Sequence, residues 1–347
     1  MSIQVLPIDD FLVQQKIRKA VLFDTRSEKE FEKAHIPGAV SLPLLNNEHR
    51  HIIGTIYKEH GREAAVLKGF ELVGPLFHEK LQIAKKLAGD QEVFLYCWRG
   101  GMRSNIMAWL IQMIGLKVTL LEHGYKSYRN HVLQIFEEEY RFLILGGMTG
   151  SGKTEVLHDL EKLNEQMIDL EHLASHKGSA FGLLGMPEQP SQEHFENLLA
   201  DALFAKNKTE WLWLENESKN IGKVNLPQVF YNRMKAAPII EMEVSVEERS
   251  KRILVEYGIF AKELLAENTR RIEKRLGGQH MKQALIHLEE NDLEAWLKII
   301  LNYYDKTYAF SNERRESKHM IIVPFKWTDK EVCLRKILNA KKEIEKK

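Results

Sequence analysis

Residues 141–163 read RFLILGGMTGSGKTEVLHDLEKL: an apolar run, a glycine-rich loop and an amphipathic stretch in direct succession. The apolar run predicts a buried strand, and the amphipathic stretch predicts a helix. Between them, Gly147 is followed after four residues by Gly152, Lys153 and Thr154. This is the full Walker A pattern, in the strand–loop–helix context that it requires. The stretch therefore predicts an α/β domain that begins with a phosphate-binding loop.

The chemistry of such a loop predicts how it would hold a ligand. Backbone N–H groups of residues 148–153 would cradle a diphosphate, Lys153 would neutralise its charge, and Thr154 could bind Mg²⁺ if a metal is used. The predicted diphosphate-binding residues are Gly147, Thr149, Gly150, Ser151, Gly152, Lys153 and Thr154.

Downstream of this loop, apolar runs at 167–172, 211–217, 238–244 and 319–325 predict further strands. A long helical stretch at about 246–311 lies between the last two and predicts a helical subdomain, because few α/β connections are this long. We predict that residues 141–347 form this domain.

Acidic residues follow the strand at 211–217, where a Walker B aspartate normally stands. Either Glu215 or Glu217 could hold a metal-bound water. An ion pair between the carboxylate and a neighbouring lysine is an equal alternative. A glycine-rich segment at 169–197 would face the phosphate loop and contact a second substrate. The predicted second-substrate or metal-water residues are Glu171, His176, Lys177, Ser179, Glu215 and Glu217. No Cys/His spacing of a zinc site is present, and no bound metal is assigned.

Upstream, residues 92–105 read EVFLYCWRGGMRSN, a strand that ends at Cys97 before a loop rich in glycine and arginine. A loop at the end of a parallel strand, followed by a helix, directs N–H groups and the helix dipole toward one centre. Gly100 and Gly101 let the loop curl, and Arg99 and Arg103 can add charged donors. We therefore predict a nucleophilic thiolate that carries an anionic atom, the alternative being a buried structural cysteine.

Composition limits the remaining possibilities. A chain of 347 residues predicts two domains, and two cysteines predict a reducing, cytoplasmic setting without a disulfide framework. Neither a secretory signal nor a membrane-spanning run is expected, since the apolar runs are short. A net charge of +1 argues against binding polyanions with the whole surface. Alternating strands and helices predict a parallel-sheet domain at 1–128 and a connecting helix at 129–140.

The first domain resembles the rhodanese family in the stretch FDTRSEKEFEKAHIPGAVSLPL (23–44) and in the cysteine loop. The resemblance implies a rhodanese-like parallel sheet for the first domain, and the Walker A pattern in its context predicts that a P-loop NTPase-like α/β domain with its helical subdomain follows. One departure concerns Arg103, which stands six residues after Cys97 where ordinary sulfurtransferases place arginine at five. The longer loop is similar to that of rhodanese-fold phosphatases, and favours a larger chalcogen- or phosphorus-bearing substrate.

Both domains together resemble the bacterial tRNA 2-selenouridine synthase family. The shared motifs are YCWRGGMRS, GGMTGSGKT, DLEHLASHKGSAFG, PSQEHFEN, LENESKNIG, RLGGQ and NYYDKTY. The resemblance implies a transferase that converts wobble 2-thiouridine of tRNA to 2-selenouridine with selenophosphate, through an S-geranylated intermediate made from geranyl diphosphate. It implies that Cys97 forms a selenium adduct stabilised by Arg99, Gly100, Gly101 and Arg103. No tightly bound cofactor is expected, although Mg²⁺ remains an option.

A tRNA substrate requires a surface for its anticodon region. Residues 268–283 carry Arg270, Arg271, Lys274 and Arg275 and predict phosphate contacts, with a solvated helix face as the alternative. Tyr303 and Tyr304 could stack an unpaired base, or they could belong to the core.

Three other functions fit parts of the sequence. A P-loop kinase or NTPase with a regulatory rhodanese domain would turn over ATP without tRNA. A non-catalytic tRNA-binding or sulfur-relay adaptor would not need Cys97 for transfer. A rhodanese-type phosphatase fits the loop length, but the loop lacks the hydroxyl-rich composition frequent in such enzymes.

Overall fold

Two parallel β-sheets organise the chain. The structure, a computed structural model, describes residues 3–313 and 319–346. The chain divides into two units, Met1–Ile135 with Glu196–Asp201 and Phe136–Phe195 with Ala202–Lys347. The predicted α/β fold class, with parallel sheets in both parts, is confirmed.

The first unit contains a five-stranded sheet in the order β1-β5-β4-β2-β3, with every pairing parallel. Its strands are β1 (Gln4–Leu6), β2 (Val21–Asp24), β3 (Val40–Ser41), β4 (Val93–Tyr96) and β5 (Val118–Leu121). Its helices are α1 (Ile8–Arg18), α2 (Glu28–Lys33), α3 (Asn47–Val73), α4 (Phe77–Ala88), α5 (Met102–Met113) and α6 (Gly124–Ile135). Every residue of β4 is buried, because helices cover a parallel sheet on both faces. The cysteine loop thus leaves the middle strand of the sheet.

The predicted connecting helix at 129–140 needs a correction, because the helix runs from Gly124 to Ile135. The three glutamates at 137–139 would place negative charge at a helix C-terminus, which the macrodipole disfavours. Instead, the carbonyl groups of Phe136, Glu137 and Glu138 accept hydrogen bonds from the Arg233 guanidinium. This side chain satisfies backbone groups that another helical turn would have used.

The second unit contains a five-stranded sheet in the order β12-β11-β6-β8-β7, again with every pairing parallel. Its strands, with a short antiparallel pair β9–β10, are β6 (Arg141–Gly147), β7 (Gln166–Ile168), β8 (Trp211–Glu215), β9 (Asn220–Ile221), β10 (Val224–Asn225), β11 (Ile239–Glu243) and β12 (Met320–Pro324). Strand β6 is central, so the phosphate loop begins at the carboxyl edge of the sheet, next to the end of β8.

Helices cover this sheet and form a separate bundle. They are α7 (Lys153–Lys162), α8 (Leu170–Ala174), α10 (Gln228–Ala236), α11 (Val246–Tyr257), α12 (Lys262–Arg271), α13 (Glu273–Leu276), α14 (Gly278–Glu289), α15 (Leu293–Glu313) and α16 (Lys330–Glu345). One more helix, α9 (Gln192–Phe204), is divided between the units, with Glu196–Asp201 in the first. The bundle of α11–α15 has its own apolar core, which includes Phe181, Leu265, Trp296 and Ile300. In the described ranges, no helix has the length and apolar character needed to cross a membrane.

Candidate functional site

The cysteine loop holds its sulfur among donors. Cys97 follows β4 and is only 3% exposed. Its Sγ accepts hydrogen bonds from the Gly101 backbone N–H at 3.3 Å and from the Ser104 hydroxyl at 3.2 Å. Because α5 begins at Met102, the sulfur also lies near the positive end of a helix. The predicted cradle therefore includes Gly101 as expected, and it adds Ser104, which the sequence-based site did not include.

The first residues of α6 support the cysteine loop. The N–H groups of Tyr125 and Lys126 donate to the carbonyl oxygens of Cys97 and Trp98 at 2.8 and 3.0 Å. Gly124 has φ +58°, and a Cβ there would lie 2.2 Å from the Cys97 carbonyl oxygen. Glycine is therefore required where the two backbones meet. The motif HGYK (123–126) follows a strand in the sequence, which is the signal that could have indicated this role.

The two arginines of the loop have different surroundings. Arg103 donates from Nη1 to Glu30 Oε2 at 2.8 Å, and Arg50 also pairs with this oxygen, at 2.9 Å. Burial opposes ionisation of Glu30, but Arg103 outweighs it and lowers the pKa of this carboxyl group. Glu30 also closes the predicted capping box with Ser27. Arg99 is exposed, and the described residues give its side chain no hydrogen bond or ion pair. Its predicted contact with a substrate stays a prediction.

The phosphate loop has the backbone conformation that its glycines allow. Gly150 and Gly152 have φ +78° and +83°, and a Cβ on Gly152 would lie 2.3 Å from the Trp327 ring. The Trp327 indole N–H donates to the Ser151 carbonyl oxygen at 3.2 Å, and the Arg249 guanidinium donates to the Thr149 carbonyl oxygen at 3.1 Å. Side chains distant in sequence therefore support the loop from behind.

Lys153 and Tyr308 both hydrogen-bond to Gly147, the residue at which the phosphate loop begins. Lys153 Nζ donates to the Gly147 carbonyl oxygen at 2.9 Å, and the Gly147 N–H donates to the Tyr308 hydroxyl at 2.8 Å. The same hydroxyl donates to Glu241 at 3.0 Å and accepts from the Asn216 amide at 3.1 Å. Burial lowers the pKa of Lys153, but the neighbouring Tyr308 and carboxylates outweigh it, so the pKa is raised. The ammonium group is therefore charged at neutral pH.

Three carboxyl groups meet beside the loop. Oxygens of Glu171 (on α8), Glu215 (the last residue of β8) and Glu217 lie within 4.8 Å of one another. The Thr154 hydroxyl lies 3.4 Å from Glu171 Oε2. Burial, reinforced by the mutual repulsion of the carboxylates, raises the pKa of Glu171 to about 10 and that of Glu215 to about 8. The structure thus gathers three of the predicted second-substrate or metal-water residues.

The loop at 176–182 brings in two more of these residues. Lys177 pairs with Glu256, and Lys177 and Ser179 line the same cavity as Glu171 and Glu217. His176 lies behind the loop: it is 6% exposed, does not line the cavity, and its Nδ1 accepts the Gly178 N–H at 3.1 Å. Burial lowers the pKa of His176, which favours this neutral acceptor. Its position supports a loop-shaping role rather than direct contact with a ligand.

These elements enclose a cavity of about 650 Å³ in the second unit. Its polar wall is formed by the phosphate loop, Glu171, Glu217 and the loop at 177–180. The lining also includes apolar and aromatic side chains: Ile253, Tyr257, Ile272, Tyr303, Tyr304 and Tyr308. The volume and mixed lining suit a small ligand that joins an anionic group to an apolar chain.

The predicted tRNA-binding residues fall into two groups. Arg270, Arg271, Lys274 and Arg275 are exposed, and they lie on two successive short helices, Arg270 and Arg271 on α12 and the other two on α13. Arg275 lines the cavity. Tyr303 and Tyr304 are half-buried, and the Tyr304 hydroxyl accepts the Ala180 N–H at 3.0 Å. Both tyrosines thus pack against the helical core and the cavity, and base stacking by them stays a prediction.

Comparisons with known proteins identify families that match both parts of the chain. A rhodanese-like domain model matches residues 9–131, and a model for the tRNA 2-selenouridine synthase AAA domain matches residues 140–334. A protein named tRNA 2-selenouridine synthase from Pseudomonas fluorescens (strain Pf0-1) is 36% identical, over 91% of this chain and 93% of that relative. The chain belongs to the tRNA 2-selenouridine synthase family. The resemblance predicted from the motifs is confirmed.

Other members of the tRNA 2-selenouridine synthase family match over similar lengths. The relative of the same name from Shewanella denitrificans (strain OS217) is 33% identical, over 92% of this chain and 95% of its own. A solved N-terminal domain of a proposed ATP/GTP binding protein from Clostridium difficile 630 is 39% identical, with a TM-score of 0.35. The matched region covers 38% of this chain and 99% of the solved domain. Family membership confirms that the chain is an enzyme of the transferase class.

Proposed function

We propose that this enzyme converts wobble 2-thiouridine of tRNA to 2-selenouridine with selenophosphate, through an S-geranylated intermediate made from geranyl diphosphate. Family membership supports the role in tRNA selenation. The observation that carries the geranyl step is the cavity of the second unit, whose lining combines a phosphate loop with apolar and aromatic side chains. A γ-phosphate acceptor site is not needed for this step, because the diphosphate is the leaving group.

The first step uses the second unit. The sulfur of 2-thiouridine attacks the first carbon of the geranyl chain, the carbon–oxygen bond breaks, and diphosphate leaves. Lys153 and the N–H groups of the phosphate loop would stabilise the charge on the departing diphosphate. Ile253, Ile272 and Tyr257 would bury the ten-carbon chain, and each buried CH₂ contributes about 0.8 kcal/mol.

The second step replaces the geranylated sulfur. Selenophosphate, water and S-geranyl-2-thiouridine give 2-selenouridine, geranylthiol and phosphate, and selenium stays at the selenide level throughout. No external electron donor is therefore required. We assign this step to Cys97: its thiolate attacks the phosphorus of selenophosphate, the P–Se bond breaks, the released selenide displaces geranylthiolate from the base, and water hydrolyses the S-phosphocysteine to phosphate. Gly101 and Ser104, which donate to the sulfur, would stabilise the anions of this step, with Arg99 and Arg103 as cations near them. Exposed Arg270, Arg271 and Lys274 would contact tRNA phosphates.

Product analysis tests this assignment directly. Thiolated tRNA is incubated with geranyl diphosphate, with selenophosphate or with both, and the wobble nucleoside is identified by mass spectrometry. We expect S-geranyl-2-thiouridine with the first donor and 2-selenouridine with both. ATP hydrolysis or phosphate transfer without any change of the nucleoside would overturn the proposal in favour of a P-loop kinase or NTPase.

Two lysine variants distinguish a specific role of the phosphate loop in diphosphate binding from a general effect of positive charge. Lys153→Ala removes the buried ammonium and should weaken geranyl diphosphate binding roughly 10- to 100-fold, as expected for a charged hydrogen bond of about 1.5–3 kcal/mol. Lys162→Ala, on the same helix α7, removes an exposed ammonium paired with Asp159 and should leave the affinity unchanged. Equal affinity of wild type and Lys153→Ala in calorimetry would remove the diphosphate from this loop.

A further inference from the structure

The motif NYYDKTY (302–308) on α15 fixes the side chain of Tyr308 at the phosphate loop. The Tyr308 hydroxyl accepts the Gly147 N–H at 2.8 Å and the Asn216 amide at 3.1 Å. It donates its own proton to Glu241 at 3.0 Å. A hydroxyl group donates one hydrogen bond and accepts at most two. Its capacity is therefore used within the protein, and the ring cannot leave the loop without breaking three hydrogen bonds.

A second contact holds α15 at the same loop. Asp305 forms a bidentate ion pair with Arg249, with both bonds at 2.8 Å, and Arg249 donates to the Thr149 carbonyl oxygen at 3.1 Å. Arg249 is only 1% exposed, and a buried bidentate pair has a well-defined geometry. The helix therefore keeps its place at the loop independently of the Tyr308 hydroxyl.

The glycine before the Walker A pattern makes room for Glu241, the acceptor of the Tyr308 proton. Gly146 on β6 and Glu241 on β11 are partners in the register of the sheet. A Cβ on Gly146 would lie 1.9 Å from Glu241 Oε2, so any side chain there would displace the carboxylate. The two glycines at 146–147 thus allow Glu241 and Tyr308 to approach the end of β6 together.

The Tyr308 ring lies beside the lysine of the loop. In a Walker A loop, N–H groups hold the first two phosphates of a nucleotide, and the lysine reaches the second and third. Lys153 Nζ donates to the Gly147 carbonyl oxygen at 2.9 Å, and Tyr308 accepts the N–H of the same residue. Both side chains line the cavity. The ring therefore stands next to the ammonium group on the side from which a ligand binds.

Acidic groups border the same position. The glutamate cluster of Glu171, Glu215 and Glu217 lies close enough to Lys153 to act on its charge. A third phosphate would bring more negative charge toward these carboxyl groups than a diphosphate does, and like charges repel. A diphosphate needs only the N–H groups of the loop and Lys153.

We propose that Tyr308 restricts the phosphate loop to diphosphates, because its ring occupies the place beside Lys153 that a third phosphate would take. Selectivity of this kind comes from a group that blocks the wrong ligand rather than from an added contact to the right one. The proposal rests on the proposed function for the choice of a diphosphate as the ligand, and it names the residue that enforces this choice. It also explains how a complete Walker A pattern serves an enzyme that transfers no phosphate.

Calorimetric titration of the full-length protein with inorganic diphosphate and with inorganic triphosphate measures this selectivity. Both titrations use a buffer without divalent cations, so that chelation by the longer anion does not affect the comparison. Wild type should bind diphosphate roughly 10- to 100-fold more tightly than triphosphate, as expected for forcing extra atoms into a filled site.

Two variants separate the ring from its hydroxyl. Tyr308→Leu removes the ring and keeps an apolar side chain, so the affinity for triphosphate should rise at least about tenfold and the selectivity should disappear. Tyr308→Phe keeps the ring, so it should still prefer diphosphate. Phe310→Ala is the matched control, because it truncates an exposed aromatic residue two positions later on α15 and should bind both anions like wild type. Thermal unfolding shows whether each variant is folded.

Equal affinity of wild type for the two anions, or no binding of diphosphate, would overturn the proposal. So would exclusion of triphosphate by Tyr308→Leu, or loss of selectivity in Tyr308→Phe or in Phe310→Ala. If Tyr308→Leu did not fold, wild type and Tyr308→Phe would still decide the question, because the ring is present in both and both must be selective.

The outcome for Tyr308 can be told apart from the outcome for the proposed function, because the two inorganic anions test the loop without tRNA or geranyl diphosphate. Selective diphosphate binding by a protein that never geranylates tRNA would support the role of Tyr308 and reject the proposed function. Geranylation by a protein that binds both anions equally well would reject the role of Tyr308 and leave the proposed function standing.

Discussion

Replacement of Gly124 by alanine is expected to damage the cysteine loop more than a comparable change elsewhere in the first unit. Gly124 has φ +58°, and an added Cβ would lie 2.2 Å from the Cys97 carbonyl oxygen and 2.5 Å from the Gly100 amide nitrogen. Both neighbours are backbone atoms, so no side-chain rotation can relieve the contact. Gly115 provides a control, because it has φ +86° and no atom within 4 Å of an added Cβ.

The size of the effect follows from these two sites. A left-handed conformation costs a residue with a Cβ about 1–2 kcal/mol, and this is the whole expected cost of Gly115→Ala. Overpacking against fixed atoms adds about 1–3 kcal/mol, so Gly124→Ala should cost about 2–5 kcal/mol. The displaced loop would also lose the hydrogen bonds from Gly101 and Ser104 to the sulfur.

Urea unfolding of the two full-length variants, followed by circular dichroism, measures the difference in free energy. Product analysis measures the activities: Gly124→Ala should lose selenation and keep geranylation, since the cavity lies in the second unit. Gly115→Ala should keep both activities. An equal loss of stability in the two variants, or full selenation by Gly124→Ala, would show that close packing at Gly124 does not shape the cysteine loop.

Two further experiments test the assigned roles. Cys97→Ser should lower selenation by more than about a hundredfold while geranylation continues, because a serine hydroxyl is largely un-ionised at neutral pH. The same change at the chain's other cysteine, Cys333, should leave selenation intact. Loss of both activities in Cys97→Ser would contradict the assignment of the two steps to different units. Charge reversal of Arg270 and Arg271 should weaken tRNA binding and flatten the slope of log K against log salt by about 0.7–0.9 per lost contact. Reversal of two exposed lysines on α16, Lys336 and Lys342, is the control, and an equal effect there would contradict a localised tRNA surface.

The sequence predicted those parts of the fold that neighbouring residues specify by themselves. The strand–loop–helix at 141–163 was identifiable because the glycines, the lysine and the flanking apolar periods lie within one stretch. Helices α1 and α3 were not predicted, because no such local pattern marks them in the sequence. Helix α1 buries only Phe11 and Leu12, and the 27-residue α3 buries only Ala65 and Val73 while containing three glycines. Such helices show little apolar periodicity, so their sequence resembles that of a loop.

The supporting contacts of both sites were beyond prediction because they join residues far apart in the chain. Arg103 pairs with Glu30, which stands 73 positions earlier, and the Gly147 N–H donates to Tyr308, which stands 161 positions later. Each residue has an ordinary local environment in the sequence. Arg103 was predicted as a donor to a substrate, but its partner in the structure is a carboxylate that only the sheet topology brings near.

The acidic surroundings of the phosphate loop lead to a last prediction. A loop that binds an anion lies next to Glu171 and Glu217, whose pKa values are raised by burial, so ionising these carboxyl groups without a counter-charge is unfavourable. If a divalent cation occupies the cluster, cation and diphosphate should strengthen each other's binding by the same factor, since coupling between two sites is reciprocal. Calorimetry with inorganic diphosphate should show at least about tenfold tighter binding when Mn²⁺ is present, within the usual range of such coupling. Glu217→Gln should bind diphosphate with little dependence on Mn²⁺, because the variant lacks one carboxylate ligand for the cation. If wild type bound diphosphate equally well with and without Mn²⁺, the glutamates would serve another purpose, such as holding protons for the transfer step.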